Sequence, residues 1–235
     1  MDLDIKRVLA AKPAKHVEQQ LAPLMSDEGK AVDPECVLPS HPNPQFKRDV
    51  WQNLNGWWEY TIVPRPETMR GWDEGQAIVE DAEVPEEFTG KILVPFSPET
   101  ALSGVNRMLL PEELLWYRRT ITIDALEEGK RQLLHFEAVD YACSCLINGE
   151  RVGSHASGYL PFVIDITEQL RVGENTIELC VYDPSETGEQ PRGKQRIDRG
   201  DIWYTAQSGI WQTVWLEEVP TRHITRLDMQ ANPED

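Results

Sequence analysis

Short β-type runs separated by turn signals recur along the chain from Trp51 onward, and this spacing constrains the fold more than any other feature. The clearest case is residues 144–147, followed by Asn148-Gly149 and then by residues 150–152. An Asn-Gly pair supplies the two positive φ angles of a type I′ turn, so these residues predict a β-hairpin. Because no long amphipathic helix separates the runs, parallel βαβ units are excluded. We therefore predict an all-β chain folded as an antiparallel β-sandwich or jelly roll.

Further runs of β-branched, aromatic and aliphatic residues predict strands on both sides of this hairpin. In residues 176–182, for example, Ile177, Leu179 and Val181 fall on one face, because successive side chains of a strand point to opposite sides. The other predicted strands are residues 57–63, 91–96, 114–123, 131–137, 162–166 and 210–218.

The longest stretch without a strand pattern is residues 183–202. Hairpin connections need only about two to five residues, and much longer loops are usually functional or disordered. The length of this stretch therefore makes it the candidate for a binding function.

Proline and turn residues divide the chain into three parts. Residues 1–40 contain four prolines that interrupt regular structure, so we predict an N-terminal extension with at most a short helix at residues 16–21. Residues 41–220 hold the predicted strands and form the sandwich domain. Residues 221–235 are predicted to be a linker into a further domain, entering one more strand that has no partner in this sequence.

The charge of the chain excludes two classes of partner. It has 235 residues, with 23 Lys and Arg against 40 Asp and Glu, and a net charge of −17. Nucleic acids and anionic membranes attract basic surfaces, so we predict neither as a partner. A membrane-spanning helix needs about 20 consecutive apolar residues, and the uncharged apolar runs here are far shorter.

The four cysteines, Cys36, Cys143, Cys145 and Cys180, show no spacing typical of a metal site. There is no Cys-x-x-Cys pair and no His-x-His pair, so we predict no zinc site and no cofactor. Residues 1–7 alternate in charge without an apolar run, so we expect no secretory signal. Reduced thiols in a cytoplasmic protein are the favoured interpretation.

Six sequence blocks, taken in their order, resemble the N-terminal sugar-binding domain of glycoside hydrolase family 2. That family includes β-galactosidases, β-glucuronidases and β-mannosidases. Each block alone is weakly specific, because aromatic-rich strands occur in many β proteins, but their order and spacing are those of the family. The blocks are residues 51–58, 94–99, 114–120, 146–149, 191–195 (Pro-Arg-Gly-Lys-Gln) and 208–217.

The resemblance implies a galactose-binding-like jelly roll that packs against an immunoglobulin-like domain and a catalytic (β/α)₈ barrel. A barrel needs about 250 residues, so it does not fit beside the sandwich in this chain. In the family the two catalytic glutamates lie in the barrel, and we therefore expect this chain to be inactive while its full-length parent is a glycosidase. The adjacent acidic pairs in the sequence follow from its acidic composition and indicate no catalytic site.

The resemblance also points to substrate-binding residues in the loop of residues 190–207. In β-galactosidases and β-glucuronidases an Asp shortly before the Gly-Ile motif reaches the substrate pocket of the barrel. This Asp matches Asp201 here, although the interval between Asp201 and Gly209 is two residues longer than in those relatives. A second residue that contacts the substrate in β-galactosidases is an Asn, and Leu93 stands at its position here. This difference argues against a specificity for galactose. The other candidate substrate-binding residues, chosen because their side chains suit sugar hydroxyls or C–H faces, are Trp203, Tyr204, Arg192 and Gln195.

Two structural alternatives apply to these candidates. Asp201 could instead be a loop carboxylate paired with Arg199 or Arg196. Trp203 could instead be an anchor in the core or between domains.

Three functions are consistent with the sequence. The leading hypothesis is a non-catalytic sugar-binding domain that supports the barrel of a family 2 β-glycosidase, with a carbohydrate and the other domains of the same protein as its partners. The second is a free-standing carbohydrate-binding module. The third is a structural β-sandwich that binds other proteins.

Overall fold

The computed structural model describes residues 25–66 and 75–231. The helix predicted at residues 16–21 lies outside the described residues. Two α-helices are present in the described part, α1 (Asp27–Lys30) and α2 (Gly75–Asp81), together with short 3₁₀ turns at Pro44–Phe46, Ala101–Ser103, Thr167–Gln169 and Ser185–Thr187. No helix among the described residues is long and apolar enough to span a membrane.

The described part of the chain contains fourteen strands. They are β1 (Trp51–Asn53), β2 (Gly56–Pro64), β3 (Gly90–Val94), β4 (Glu113–Ile123), β5 (Lys130–Phe136), β6 (Val139–Asp140), β7 (Ala142–Ile147), β8 (Glu150–Ala156), β9 (Phe162–Asp165), β10 (Gly173–Tyr182), β11 (Gln195–Arg196), β12 (Tyr204–Thr205), β13 (Gly209–Ile210) and β14 (Val214–Pro220).

The strands form two main antiparallel sheets. The large sheet has the order β3-β2-β4-β10-β7-β8, and the small sheet has the order β1-β14-β5-β9. Neighbours in these sheets are mostly distant in sequence, as in jelly-roll topologies. The prediction of an all-β antiparallel sandwich is confirmed.

The core lies between the two sheets, where alternate residues of each strand face inward. From the large sheet it receives Trp58, Ile92, Leu115, Tyr117, Ile177 and Leu179, and from the small sheet Leu134, Phe136, Ile164, Val214 and Leu216.

Helix α2 covers the opposite face of the large sheet. Its Ile78 and Val79 are buried against Leu114, Trp116 and Cys180. As a result strand β4 is buried on both faces, with Leu115 and Tyr117 on one side and Leu114 and Trp116 on the other.

The predicted hairpin forms between β7 and β8, with Asn148 at φ +53° and Gly149 at φ +83°. The predicted strand at residues 210–218, by contrast, is divided into β13 and β14. Strand β13 pairs with β6, whereas β14 pairs with β1 and β5. The chain thus changes its pairing partner at residues 211–213, a change that local strand propensity does not reveal.

The two ends of the described chain contain little regular structure. In the described part of the N-terminal extension, residues 25–40 hold only helix α1 and turns. The further strand predicted after residue 220 does not form within residues 221–231, where the chain has no strand beside it to pair with. This segment contacts the sandwich through hydrogen bonds. The N–H and the hydroxyl of Thr221 donate to the carbonyl oxygen of Gly129 at 2.8 and 2.9 Å, and Arg48 Nη2 donates to the carbonyl oxygen of Ile224 at 2.7 Å.

The cysteines are free. Cys143 and Cys145 lie in the core between the sheets, Cys180 lies beneath α2, and Cys36 is exposed. Burial raises the pKa of the Cys145 thiol to about 12, so this thiol stays protonated at neutral pH.

Gly209 is the position at which β13 depends most directly on the core. Its φ is +74°, and a methyl group there would overlap the hydroxyl of Tyr117, which accepts a 3.2 Å hydrogen bond from the N–H of Ile210. Gly129 has a similar φ of +79° but faces open space.

We expect Gly129→Ala to lower the free energy of unfolding by about 1–2 kcal/mol, through backbone strain alone. Gly209→Ala should cost about 1–3 kcal/mol more, because it also overpacks the site. Urea unfolding of both variants, repeated in a Tyr117→Phe background, measures the difference. Equal losses in the two alanine variants would contradict this description of β13.

Candidate functional site

The long loop between β10 and β13 is the candidate site, and we refer to residues 183–208 as the β10–β13 loop. Its two limbs are held together by the parallel pair β11 and β12. The N–H of Tyr204 donates to the carbonyl oxygen of Lys194 at 2.8 Å, and the N–H of Ala206 donates to that of Arg196 at 3.2 Å. The loop is therefore a folded unit with a tip at residues 197–203.

Asp201 lies exposed at this tip with φ +51°, a left-handed conformation that Asp tolerates better than most residues. Next to it, the N–H of Trp203 donates to the carbonyl oxygen of Gly200 at 2.9 Å and closes a tight turn. Within the part of the chain that the structure describes, the Asp201 carboxylate makes no hydrogen bond or ion pair. Arg199 instead donates to the Thr205 hydroxyl at 2.7 Å.

Trp203 is half-buried, and one face of its ring is covered. The guanidinium carbon of Arg196 lies 4.0 Å from the ring centroid, a cation–π contact. Tyr204 is different, because its side chain is 69% exposed and projects from the loop. Of the two aromatic candidates, Tyr204 therefore offers the larger free surface.

Arg192 and Gln195 contribute to the structure of the loop. Gln195 Oε1 accepts a 2.8 Å hydrogen bond from the N–H of Gln207, which ties the two limbs together. Arg192 is partly buried, and its Nη1 lies 3.5 Å from the carbonyl oxygen of Gly188. The tip thus brings together Asp201, Trp203 and Tyr204, whereas Arg192 and Gln195 lie in the supporting limb.

A second aromatic surface lies close to the loop, at the turn between β8 and β9. Tyr159 packs edge-on against Trp211 with ring centroids 6.0 Å apart, and the Trp211 indole donates to the carbonyl oxygen of Gly158 at 2.8 Å. Leu160 next to it is 61% exposed, and at the loop tip Ile202 is 63% exposed. Large apolar side chains are thus exposed both at the tip and beside the loop, as expected of a surface that meets a partner domain.

Three buried carboxyl groups lie at the base of the loop, and sequence reasoning missed them. Asp183 Oδ2 accepts from the Ser208 hydroxyl at 2.8 Å, and Glu99 Oε2 accepts from the Ser208 N–H at 3.1 Å. Asp140 in β6 pairs with Gly209. The available signal was Glu99 itself, an acidic residue in an otherwise apolar and proline-rich block.

Burial raises the pKa of all three carboxyls. Burial raises the pKa of Glu99 to about 7, although the hydrogen bonds that Glu99 accepts from backbone N–H groups act to lower it. That of Asp140 rises to about 8, first by burial and then by the charges of Asp183 and Glu99. Burial also raises the pKa of Asp183. Glu99 and Asp140 therefore take up protons near neutral pH.

Two other features do not add to this site. Leu93, at the position of the relatives' Asn, is only 3% exposed within β3. A cavity of about 300 Å³ lies at the edge of the small sheet, lined by Trp51, Gln52, Thr122 and Glu218 among others, but by no residue of the β10–β13 loop. Among the described residues no group of three or more His, Cys, Asp and Glu is arranged to hold a metal ion.

Comparison with known proteins gives matching sequences and a matching fold. Residues 51–220 match the family model described as "Glycosyl hydrolases family 2, sugar binding domain". A β-galactosidase from Thermoanaerobacter pseudethanolicus is 37% identical over 111 residues, which are 46% of this chain and 14% of that protein. A β-glucuronidase from Formosa agariphila is 29% identical over 112 residues, which are 47% of this chain and 11% of that protein.

Among solved structures, a β-glucuronidase from Faecalibacterium prausnitzii superposes with a TM-score of 0.50 at 19% identity, over 74% of this chain and 32% of that one, a likeness of fold alone. The chain thus corresponds to a small part of the length of its relatives. Because the family match runs from the start of β1 to the end of β14, the chain belongs to glycoside hydrolase family 2 and carries the sugar-binding domain of that family.

Proposed function

We propose that this domain supports the catalytic barrel of a family 2 β-glycosidase and lends the β10–β13 loop to the substrate pocket of that barrel. In this arrangement Asp201 accepts hydrogen bonds from sugar hydroxyls, and Tyr204 and Trp203 contact the sugar or the barrel around it. Retaining and inverting glycosidases alike use a pair of carboxyl groups beside the bond that they cleave. In this arrangement the barrel supplies that pair, and the domain supplies neither of the two groups.

The observation that carries this proposal is the state of Asp201. Its carboxylate is exposed at the tip of a folded loop and makes no hydrogen bond or ion pair with the described residues, while Arg199 and Arg196 are engaged elsewhere. A carboxylate held in this way can bind an external donor without first breaking an internal ion pair. The exposed apolar residues Ile202, next to Asp201, and Leu160, at the turn between β8 and β9, suit an interface with another domain of the same protein.

The second candidate is direct carbohydrate binding by the domain alone, which the exposure of Tyr204 favours. An aromatic ring with a free face packs well on the C–H surface of a sugar. Retardation of the isolated chain in affinity gels that contain β-glycans would support this module function, and unretarded migration would support the accessory role. Cytoplasmic location remains a prediction from the free cysteines.

We expect the purified chain not to hydrolyse nitrophenyl β-galactoside, β-glucuronide or β-mannoside, because the two carboxyl groups that perform the reaction belong to the barrel. Release of nitrophenol, followed against a mock purification from the same host, measures this. Hydrolysis that co-purifies with the chain and exceeds the mock preparation would contradict the accessory role.

In the full-length parent enzyme, we expect Asp201→Ala to reduce kcat/KM by an amount equivalent to about 1–3 kcal/mol, the scale of a lost hydrogen bond to a charged group. Folding should be little affected, because an exposed carboxylate contributes little stability. Ala is disfavoured at the positive φ of Asp201, so Asp201→Asn separates the loss of charge from backbone strain.

Asp198→Asn is the matched control, since it removes another exposed carboxylate from the same loop tip. Steady-state kinetics and thermal unfolding of all three variants decide the matter. A destabilised enzyme with unchanged kcat/KM would mark Asp201 as structural.

A further inference from the structure

The base of the β10–β13 loop is closed by a hydrogen bond between its first and last residues. Asp183 follows strand β10 and Ser208 precedes strand β13, and the Ser208 hydroxyl donates to Asp183 Oδ2 at 2.8 Å. The other oxygen of Asp183 accepts from the N–H of Ser185 at 2.8 Å. Both groups are at least nine-tenths buried, so water does not compete for this bond.

Glu99 ties Ser208 to the body of the sandwich. Its Oε2 accepts from the N–H of Ser208 at 3.1 Å, and its Oε1 accepts from the N–H of Leu109 at 3.1 Å. Glu99 belongs to the segment between β3 and β4, which is distant from the loop in sequence. Ser208 is therefore held through its backbone by one buried carboxyl and through its side chain by another.

Asp140 pairs with Gly209, the residue directly after Ser208, but has a different role. Its side chain is almost fully buried, and a side chain at Gly158 would overlap its carboxyl. Within the described residues this carboxyl accepts no hydrogen bond, whereas both oxygens of Glu99 and of Asp183 accept one. Hydrogen bonds from N–H and O–H groups stabilise an ionised carboxyl, so the group without them is the one that best retains a proton.

We propose that Asp183, Ser208 and Glu99 form a clasp that positions the loop carrying Asp201, and that a proton on Asp140 keeps this clasp closed. That the clasp serves to position Asp201 rests on the proposed function of Asp201. The existence of the clasp does not rest on that function, because its hydrogen bonds are seen in the structure. In this arrangement Asp183, Ser208 and Glu99 are positioning residues, because they act through the loop and not on a sugar.

Loss of the proton would add a negative charge beside Glu99 and Asp183, two carboxyls whose hydrogen bonds favour the ionised form. Arg192 lowers the pKa of Asp183, whereas Glu186 raises it. The hydroxyls of Tyr117 and Tyr159 are also close to the cluster. Repulsion among three carboxylates therefore falls on the hydrogen bonds at Ser208.

The direction of the pH effect follows from the raised pKa values. An opened clasp exposes its carboxyls to water, where their pKa returns to about 4. The closed form binds more protons, so the tendency to stay closed decreases as the pH rises above about 4 and levels off above about 8. Each proton changes the opening equilibrium by at most about tenfold per pH unit in this window.

Hydrogen exchange of the full 235-residue chain measures this opening. The amides of Tyr204, Ala206 and Gln207 bridge the two limbs and report on the loop. After correction for the intrinsic exchange rate, we expect their protection to fall about 10- to 100-fold between pH 6 and pH 8. Amides of the core strand β4 should change much less.

Two variants and one control identify the source of the effect. Asp140→Asn mimics the protonated carboxyl, so it should remove most of the decrease in protection between pH 6 and pH 8. Ser208→Ala removes the donor to Asp183 and should lower loop protection at both pH values. Asp198→Asn, an exposed carboxylate of the same loop, should behave as the wild type.

The proposal would be overturned by loop protection in the wild type that is independent of pH, or by an Asp140→Asn variant with the same pH profile as the wild type. If Asp140→Asn does not fold, Asp140→Ser, which also lacks a titratable group, takes its place in the same comparison. Because these readouts need no barrel and no sugar, they are independent of the kinetic test of Asp201.

Discussion

Burial of strand β4 on both faces is the constraint on which the rest of the structure depends. Leu115 and Tyr117 fill the space between the sheets, and Leu114 and Trp116 pack beneath helix α2. β4 also pairs with β2 on one side and β10 on the other. An edge or half-exposed strand could shift its register. Residues 114–117 of β4 are buried on both faces, so this part cannot shift without exposing apolar side chains.

The position of the loop follows from this enclosed strand. Tyr117 directs its hydroxyl to the N–H of Ile210, and Gly209 leaves room for it. Ser208 is therefore fixed one residue before a core contact, and β10, which ends in Tyr182 before Asp183, pairs directly with β4. Both ends of the β10–β13 loop are thus anchored on β4, while its tip is exposed. Rigid support beneath an exposed carboxylate is what a binding loop requires.

Part of this architecture could be predicted because it is encoded locally. The Asn148-Gly149 turn specifies its hairpin through backbone conformation. The alternation of Ile177, Leu179 and Val181 places these three residues on the face of β10 that lines the core between the sheets. The division of residues 210–218 was not predictable, because it depends on which strands lie beside the chain. The same holds for β1 and for helix α2, whose apolar residues have meaning only against the outer face of the large sheet.

The site divides in the same way. Asp201 and Tyr204 could be chosen from residue type and from the family resemblance, and both are exposed. The engagement of Trp203 with Arg196 could not, since nothing in the spacing of the two residues dictates a stacked contact. The carboxyl cluster was hidden for a further reason. Glu99, Asp140 and Asp183 lie about 40 residues apart, and in an acidic chain single carboxylates at strand ends are typical of solvated positions.

The most direct test of the central claim, that the domain serves a substrate pocket through its β10–β13 loop, is a structure of the parent enzyme with a bound β-glycoside. The predicted result places an oxygen of the Asp201 carboxylate within about 3 Å of a sugar hydroxyl, as a hydrogen bond requires. A bound sugar whose polar atoms are all served by the barrel, with Asp201 facing solvent, would contradict it.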